Sequence, residues 1–143
     1  MTVNKELALQ DWAKENPFLT GRLLFDFLGG ENGECSISPV ISDKAVKTYI
    51  DGTAIKEYTF AFQALLAVSD APDAINTDNM FMLRKWQDWL TEQERARNYP
   101  DFGEKCKFVK LENLSDMPSL AMRYENGVAK YQFYAKFTYI EEV

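Results

Sequence analysis

The chain closes on YENGVAKYQFYAKFTYIEEV, Tyr124 to Val143. From Ala129 onward every second residue is Ala or aromatic: Ala129, Tyr131, Phe133, Ala135, Phe137 and Tyr139. The residues between are mostly Lys, Gln and Thr. Successive side chains of a strand point to opposite faces, so this spacing predicts a long β-strand with one aromatic face and one wet face. Asn126-Gly127 ahead of it is the favoured pair for a two-residue type I′ turn. With that turn Tyr124 faces Ala129, Met122 faces Tyr131 and Leu120 faces Phe133, so the apolar residues of LAMRY meet apolar partners. A one-residue slip would set Met122 opposite a polar position. On the other face Arg123 meets Lys130, a mild repulsion tolerable in water.

An aromatic strand face needs a cover. The clearest helix in the sequence, predicted from Asn79 to about Asn98, supplies one. At ~100° per residue, Met82, Leu83, Trp86, Trp89 and Leu90 fall within an arc of about 120°. Arg84, Asp88, Thr91 and Arg95 point away. Asn76, Thr77 and Asp78, at the end of the turn-rich connector SDAPDAINTD, are its N-cap candidates. The expected core therefore joins Trp86, Trp89 and Leu90 of the helix to Tyr131, Phe133 and Phe137 of the strand. EQERAR near the helix end reads as a solvated charged face.

Upstream, TVNKELALQDWAKENP predicts a helix with Leu9, Trp12 and Ala13 on one face, ended by Asn16-Pro17. GRLLFDFLGG reads as a short strand, and GGENGE as a loop without the spacing of a phosphate-binding motif. CSISPVI is a strand that Pro39 pushes toward an edge or a bulge. Asp51-Gly52, between two β-rich runs, signals a hairpin. A two-residue loop there pairs Lys47 with Lys56; a three-residue loop pairs Lys47 with Glu57, which is electrostatically better. The second arm puts Tyr58, Phe60, Phe62, Ala64, Leu66 and Val68 on one face. KCKFVKLENL is a further strand, with Cys106, Phe108 and Lys110 on one face and Val109 and Leu111 on the other.

The length of 143 residues suits one domain, residues 1–143. A net charge of -6 argues against wrapping nucleic acid and against an electrostatic membrane anchor. No apolar run is long enough to span a bilayer and no basic-then-apolar leader is present, so the chain is expected to work on the inner side of the membrane or within an assembly built there. Cys35 and Cys106 read as two buried, reduced thiols, with a disulfide left open. There is no histidine, which removes the commonest general base and transition-metal ligand. No metal spacing, nucleophile elbow or carboxylate pair stands out, so no catalytic, cofactor-binding or metal residue is assigned and no cofactor is expected. The aromatics alternate inward, which favours a core over base stacking. A domain with open sheet edges and no visible chemistry reads as an assembly part rather than an enzyme.

The stretch FMLRKWQDWLTEQERARNYPDFGEKCKFVKLE, followed by ENGVAKYQFYAKFTYIE, resembles the minor capsid or tail-terminator-like proteins of prophages in Gram-positive bacteria. The cues are W..WL.EQ, PDFGE.C and a terminal strand of the G.AKYQ kind; YIDGTAIKEYTFAFQ resembles the family's central hairpin. The resemblance covers about residues 45 to 143. It implies an α+β fold with two main helices on one face of an antiparallel or mixed sheet. It also implies a structural role in the virion, assembled in the bacterial cytoplasm: a ring, hexameric in form, that caps the tail tube and meets the head connector. DNA would only pass through such a ring, with no specific nucleic-acid binding and no membrane contact. An acidic bore would keep DNA from sticking, and Gly29–Glu34 and Ser69–Asp78 are the candidate lumen loops. Some members of that family carry a chloramphenicol-resistance label, but drug acetylation of that kind uses a histidine base, which this chain lacks. The competing readings are a small carboxylate-dependent enzyme and a monomeric adaptor protein.

Overall fold

A computed structural model describes residues 4–17, 23–25, 35–67, 73–115, 119–123 and 127–143. The elements in chain order are α1 (Lys5–Ala13), β1 (Leu23–Phe25), β2 (Cys35–Thr48), β3 (Ala54–Ala67), α2 (Asp73–Ala96), β4 (Cys106–Asn113), β5 (Ser119–Arg123) and β6 (Val128–Glu141). They form an α+β fold around one mixed sheet of order β1-β2-β3-β6-β4. Among the described residues only the β1–β2 pair is parallel. The C-terminal strand β6 is central: β3 pairs with its whole length, while β4 and β5 follow one another along its other side.

Alternation on β3 and β6 builds the core face. Tyr58 lies opposite Phe137, Phe60 opposite Ala135, Phe62 opposite Phe133 and Ala64 opposite Tyr131. Two of these rungs set a large ring against an alanine. Both helices pack on this face. Trp12 of α1 lies 5.2 Å from the Phe137 ring and 4.9 Å from Trp89, and Trp86 of α2 stacks on Phe62 at 3.8 Å. On the opposite face Lys136 pairs with Glu57 and Glu112 from the flanking strands, at 2.7 and 3.3 Å. That face is not uniformly wet, since Ala61 and Leu65 are buried there.

Four local expectations are corrected. The β2–β3 loop holds three residues, the electrostatically better of the two lengths, but they are Ile50-Asp51-Gly52, closed by Tyr49 N–H donating to the Thr53 carbonyl at 2.8 Å. Only Gly52 takes a positive φ, +93°, the left-handed position of a type I turn followed by a bulge. Lys47 therefore faces Ile55, and neither Lys56 nor Glu57. Pro39 does sit where the ladder first slips, between Pro39 and Ile41.

Helix α2 begins at Asp73, so Asn76, Thr77 and Asp78 lie within it rather than capping it. Each costs only a few tenths of a kcal/mol inside a helix relative to good formers, less than a long buried stripe returns.

On β4 a bulge between Phe108 and Lys110 changes the parity of the strand: Phe108 faces Tyr139 and Leu111 faces Phe137, so both join the core side. The end of α2 supports that bulge. The Arg97 guanidinium donates to the Phe108 and Val109 carbonyls at 3.1 and 3.0 Å, and the Glu94 carboxylate accepts from Leu111 N–H at 3.1 Å. EQERAR is thus only partly a solvated face: two of its charges satisfy backbone groups that the bulge leaves unpaired.

The β5–β6 register also differs. Arg123 faces Ala129, Met122 faces Lys130 and Leu120 faces Tyr131, with a slip between Leu120 and Met122. A five-residue strand has few rungs over which alternation can enforce register, and a bulge absorbs the mismatch.

Candidate functional site

The six residues singled out from sequence are all interior: Trp86 and Leu90 at 1% exposure, Trp89 and Tyr131 at 4%, Phe133 and Phe137 at 0%. They share one core cluster, though not by the contacts first drawn. Trp86 meets Phe62 of β3, which in turn lies 5.2 Å from Phe133. Phe137 is covered by Trp12 from α1 and by Phe102 and Tyr99 from the α2–β4 connection. Sequence reasoning missed Phe102 and Tyr99, because loop residues carry no periodicity to show which way they point. These rings are packed in the interior and support the fold.

Among the described residues, ionisable groups from several elements converge at the end of the sheet beneath the start of α1. Asn4 caps that helix by accepting from Leu7 N–H at 3.0 Å, which fixes Lys5 in the first turn. The Lys5 ammonium donates to Asp43 Oδ1 at 2.6 Å and Glu141 Oε1 at 2.8 Å, and sits 5.1 Å above the Tyr139 ring. Lys56 also pairs with Glu141, and the Tyr139 hydroxyl donates to Asp43. Cys106 Sγ lies 3.4 Å from Glu141 Oε1. Asp43 reaches inward from an irregular part of β2, with φ +55°.

The protonation states are fixed by these partners. Burial opposes the charge on Lys5, but Asp43 and Glu141 outweigh it and raise its pKa above the ordinary value. Burial likewise opposes the Glu141 charge; the hydrogen-bonded ammoniums of Lys5 and Lys56 reverse this and hold its pKa down to about 2. Cys106 is pushed up to about 11, first by burial and then by Glu141. Near neutral pH the lysine is charged, the glutamate ionised and the thiol protonated. A general acid or base works best with a pKa near the working pH, and a nucleophilic thiol needs its thiolate. The cluster is suited to clamping α1 onto β2 and β6. Its three main members are too far apart in sequence for any motif to show them. Cys35 is a buried thiol pushed up to about 12 by burial, and neither cysteine is in a disulfide.

Among the described residues, two surface features bear on partners. The first is a groove of about 430 Å³ between the outer side of α1 and Tyr99–Asp101, with Trp12 in its wall and Asp11, Glu15 and Asp101 on its rim. The second is β2 itself. β1 pairs only with Cys35–Ile37, so from Ser38 onward the outer edge of β2 has no strand partner among the described residues. Along that edge and its turn Val40, Val46, Tyr49 and Ile50 are exposed. Of the candidate lumen loops, Gly29–Glu34 and 69–72 lie outside the described residues, and Asp73–Asp78 are helical. Among the described residues no group of three or more Cys, Asp or Glu could hold a metal ion, and no helix is long and apolar enough to cross a membrane. Comparison with protein-family models and with curated protein sequences returns no match.

Proposed function

We propose that this chain is a structural protein of a phage neck or tail, which forms or joins a ring that ends the tail tube and connects it to the head. The observation that supports an assembly role best is the β2 edge. An outer strand edge that has no strand partner among the described residues, beside exposed Val46, Tyr49 and Ile50, is a surface suited to contact with another chain. The phage setting rests on the sequence resemblance. The carboxylate-enzyme alternative finds Asp43 and Glu141 converging on Lys5, but Glu141 is held ionised, the opposite of what a general acid needs at neutral pH.

The test is tail assembly with and without the protein. Tails produced in its absence are expected to lack a terminal ring and to fail to join heads. Purified protein added to such tails should produce a cap visible by negative-stain electron microscopy. Normal, head-joined tails in its absence would remove the reading.

A further inference from the structure

We propose that the tip of the β2–β3 arm of one copy docks, Ile50 first, into the groove beside α1 of a second copy. This deepens the ring reading and rests on it.

The arm carries an apolar tip that its own turn does not need. Ile50 occupies the first central position of the turn, where most residues serve and Pro is favoured, yet its side chain is fully exposed. Tyr49 and Val46 stand beside it, 44% and 57% exposed. The strand edge itself is guarded against simple pairing: the β2 ladder slips at three places and carries Lys44 and Lys47. Recognition therefore falls to side chains at the tip, not to addition of a strand.

The groove offers a matching surface. Ala8, Trp12, Tyr99 and Pro100 line it, Leu7 flanks it at 52% exposure, and its 430 Å³ leaves room for more than one apolar side chain. The charges are complementary. Asp11, Glu15 and Asp101 on the rim pair with no cation among the described residues. The arm from Lys44 to Gly52 sets two lysines against one aspartate. Such pairs orient an encounter more than they tighten it.

The arm cannot fill the groove of its own molecule. One side of α1 is tied to the arm's base, where Lys5 meets Asp43 and Ser42 donates to Glu6 at 3.1 Å. The groove lies on the other side of α1, where Glu15 accepts from Asn98 and Asp11 borders Tyr99–Asp101. β3 stays paired with β6 down to Ala54, so the arm's base cannot swing across. Knob and socket on different faces make a head-to-tail contact, the kind that closes into a ring when its rotation closes.

Sedimentation velocity at low ionic strength tests this. Wild-type protein should self-associate with rising concentration. Ile50→Asp and Leu7→Asp, both at exposed positions, should keep the wild-type melting curve and each weaken association by roughly tenfold or more. An equimolar mixture of the two variants should form dimers and nothing larger, because only one sound arm and one sound groove meet. Association unchanged in Ile50→Asp, or a wild-type chain monomeric at every concentration, overturns the contact. Rings that form equally well in both variants would leave the ring reading standing and remove this contact. The predicted variant behaviour together with normal tails in the protein's absence would do the reverse.

Discussion

Replacing Trp86 with alanine removes a ring that is 1% exposed, stacked on Phe62 at 3.8 Å and edge-on to Trp89 at 5.9 Å. A buried aromatic of this size covers about 150–250 Å², or about 4–6 kcal/mol at 25 cal/mol per Å², an upper bound. Two corrections bring that down. Alanine keeps part of the buried area, and the indole N–H of Trp86 has no hydrogen-bond partner among the described residues. Removing an unpartnered buried donor returns about 1–3 kcal/mol. The expected loss is about 3 kcal/mol, the lower end of the usual Trp→Ala range. With a urea slope of about 2 kcal/mol per M, the midpoint followed by far-UV circular dichroism should fall by about 1.5 M. Trp86→Phe keeps a ring over Phe62 and discards the unpartnered donor, so it should cost about 1 kcal/mol or less. A loss below about 1 kcal/mol in the alanine variant would refute the packing, since exposed substitutions stay within about 0.5 kcal/mol. The stripe on α2 would then be a docking face.

Glu141 has a pKa depressed from 4.5 to about 2 in the folded chain, so its contribution is fully present above pH 4.5 and lost as pH falls through about 2. Its side chain is a quarter exposed, and the contribution is about 2–3 kcal/mol at neutral pH. Glu141→Gln should lower neutral-pH stability by about that amount and flatten the acid limb of the stability profile, read from urea midpoints between pH 2 and 5; an unchanged acid limb would exclude the clamp. Lys5, with its raised pKa, contributes below pH 10.5 and loses that contribution as pH climbs past its folded value. Gly52→Ala and Gly127→Ala should each cost about 1–2 kcal/mol from positive φ. They should differ little, because the Val143 methyl that would meet a Cβ at Gly52 belongs to a side chain 74% exposed. A Gly52→Ala variant with an unchanged thermal midpoint would contradict the turn geometry. Native protein treated with a disulfide reagent at pH 8 should label slowly at both cysteines, because a thiol at about 11 is only about 0.1% thiolate there. Rapid labelling before denaturant is added would show that the thiols are not held as described.

Period-2 alternation and the 3.6-residue stripe were enough to read the tryptophan helix and the inward faces of β3 and β6 directly from the residues. Those patterns are local, and burying one face fixes them. Chain direction at the turns was less legible. Asp51-Gly52 marks a hairpin, but whether the loop holds two or three residues depends on how β2 meets β3 several rungs away. The bulge at Val109 was invisible for a similar reason: Arg97 and Glu94 stabilise it from another element. The Lys5–Asp43–Glu141 clamp and the groove beside α1 join residues from opposite ends of the chain. The sequence by itself determined which faces must be dry, because water excludes apolar surface wherever it occurs along the chain. Only the tertiary structure decided which charges meet and which apolar tip stays in water, because those depend on distances between segments that no local pattern encodes.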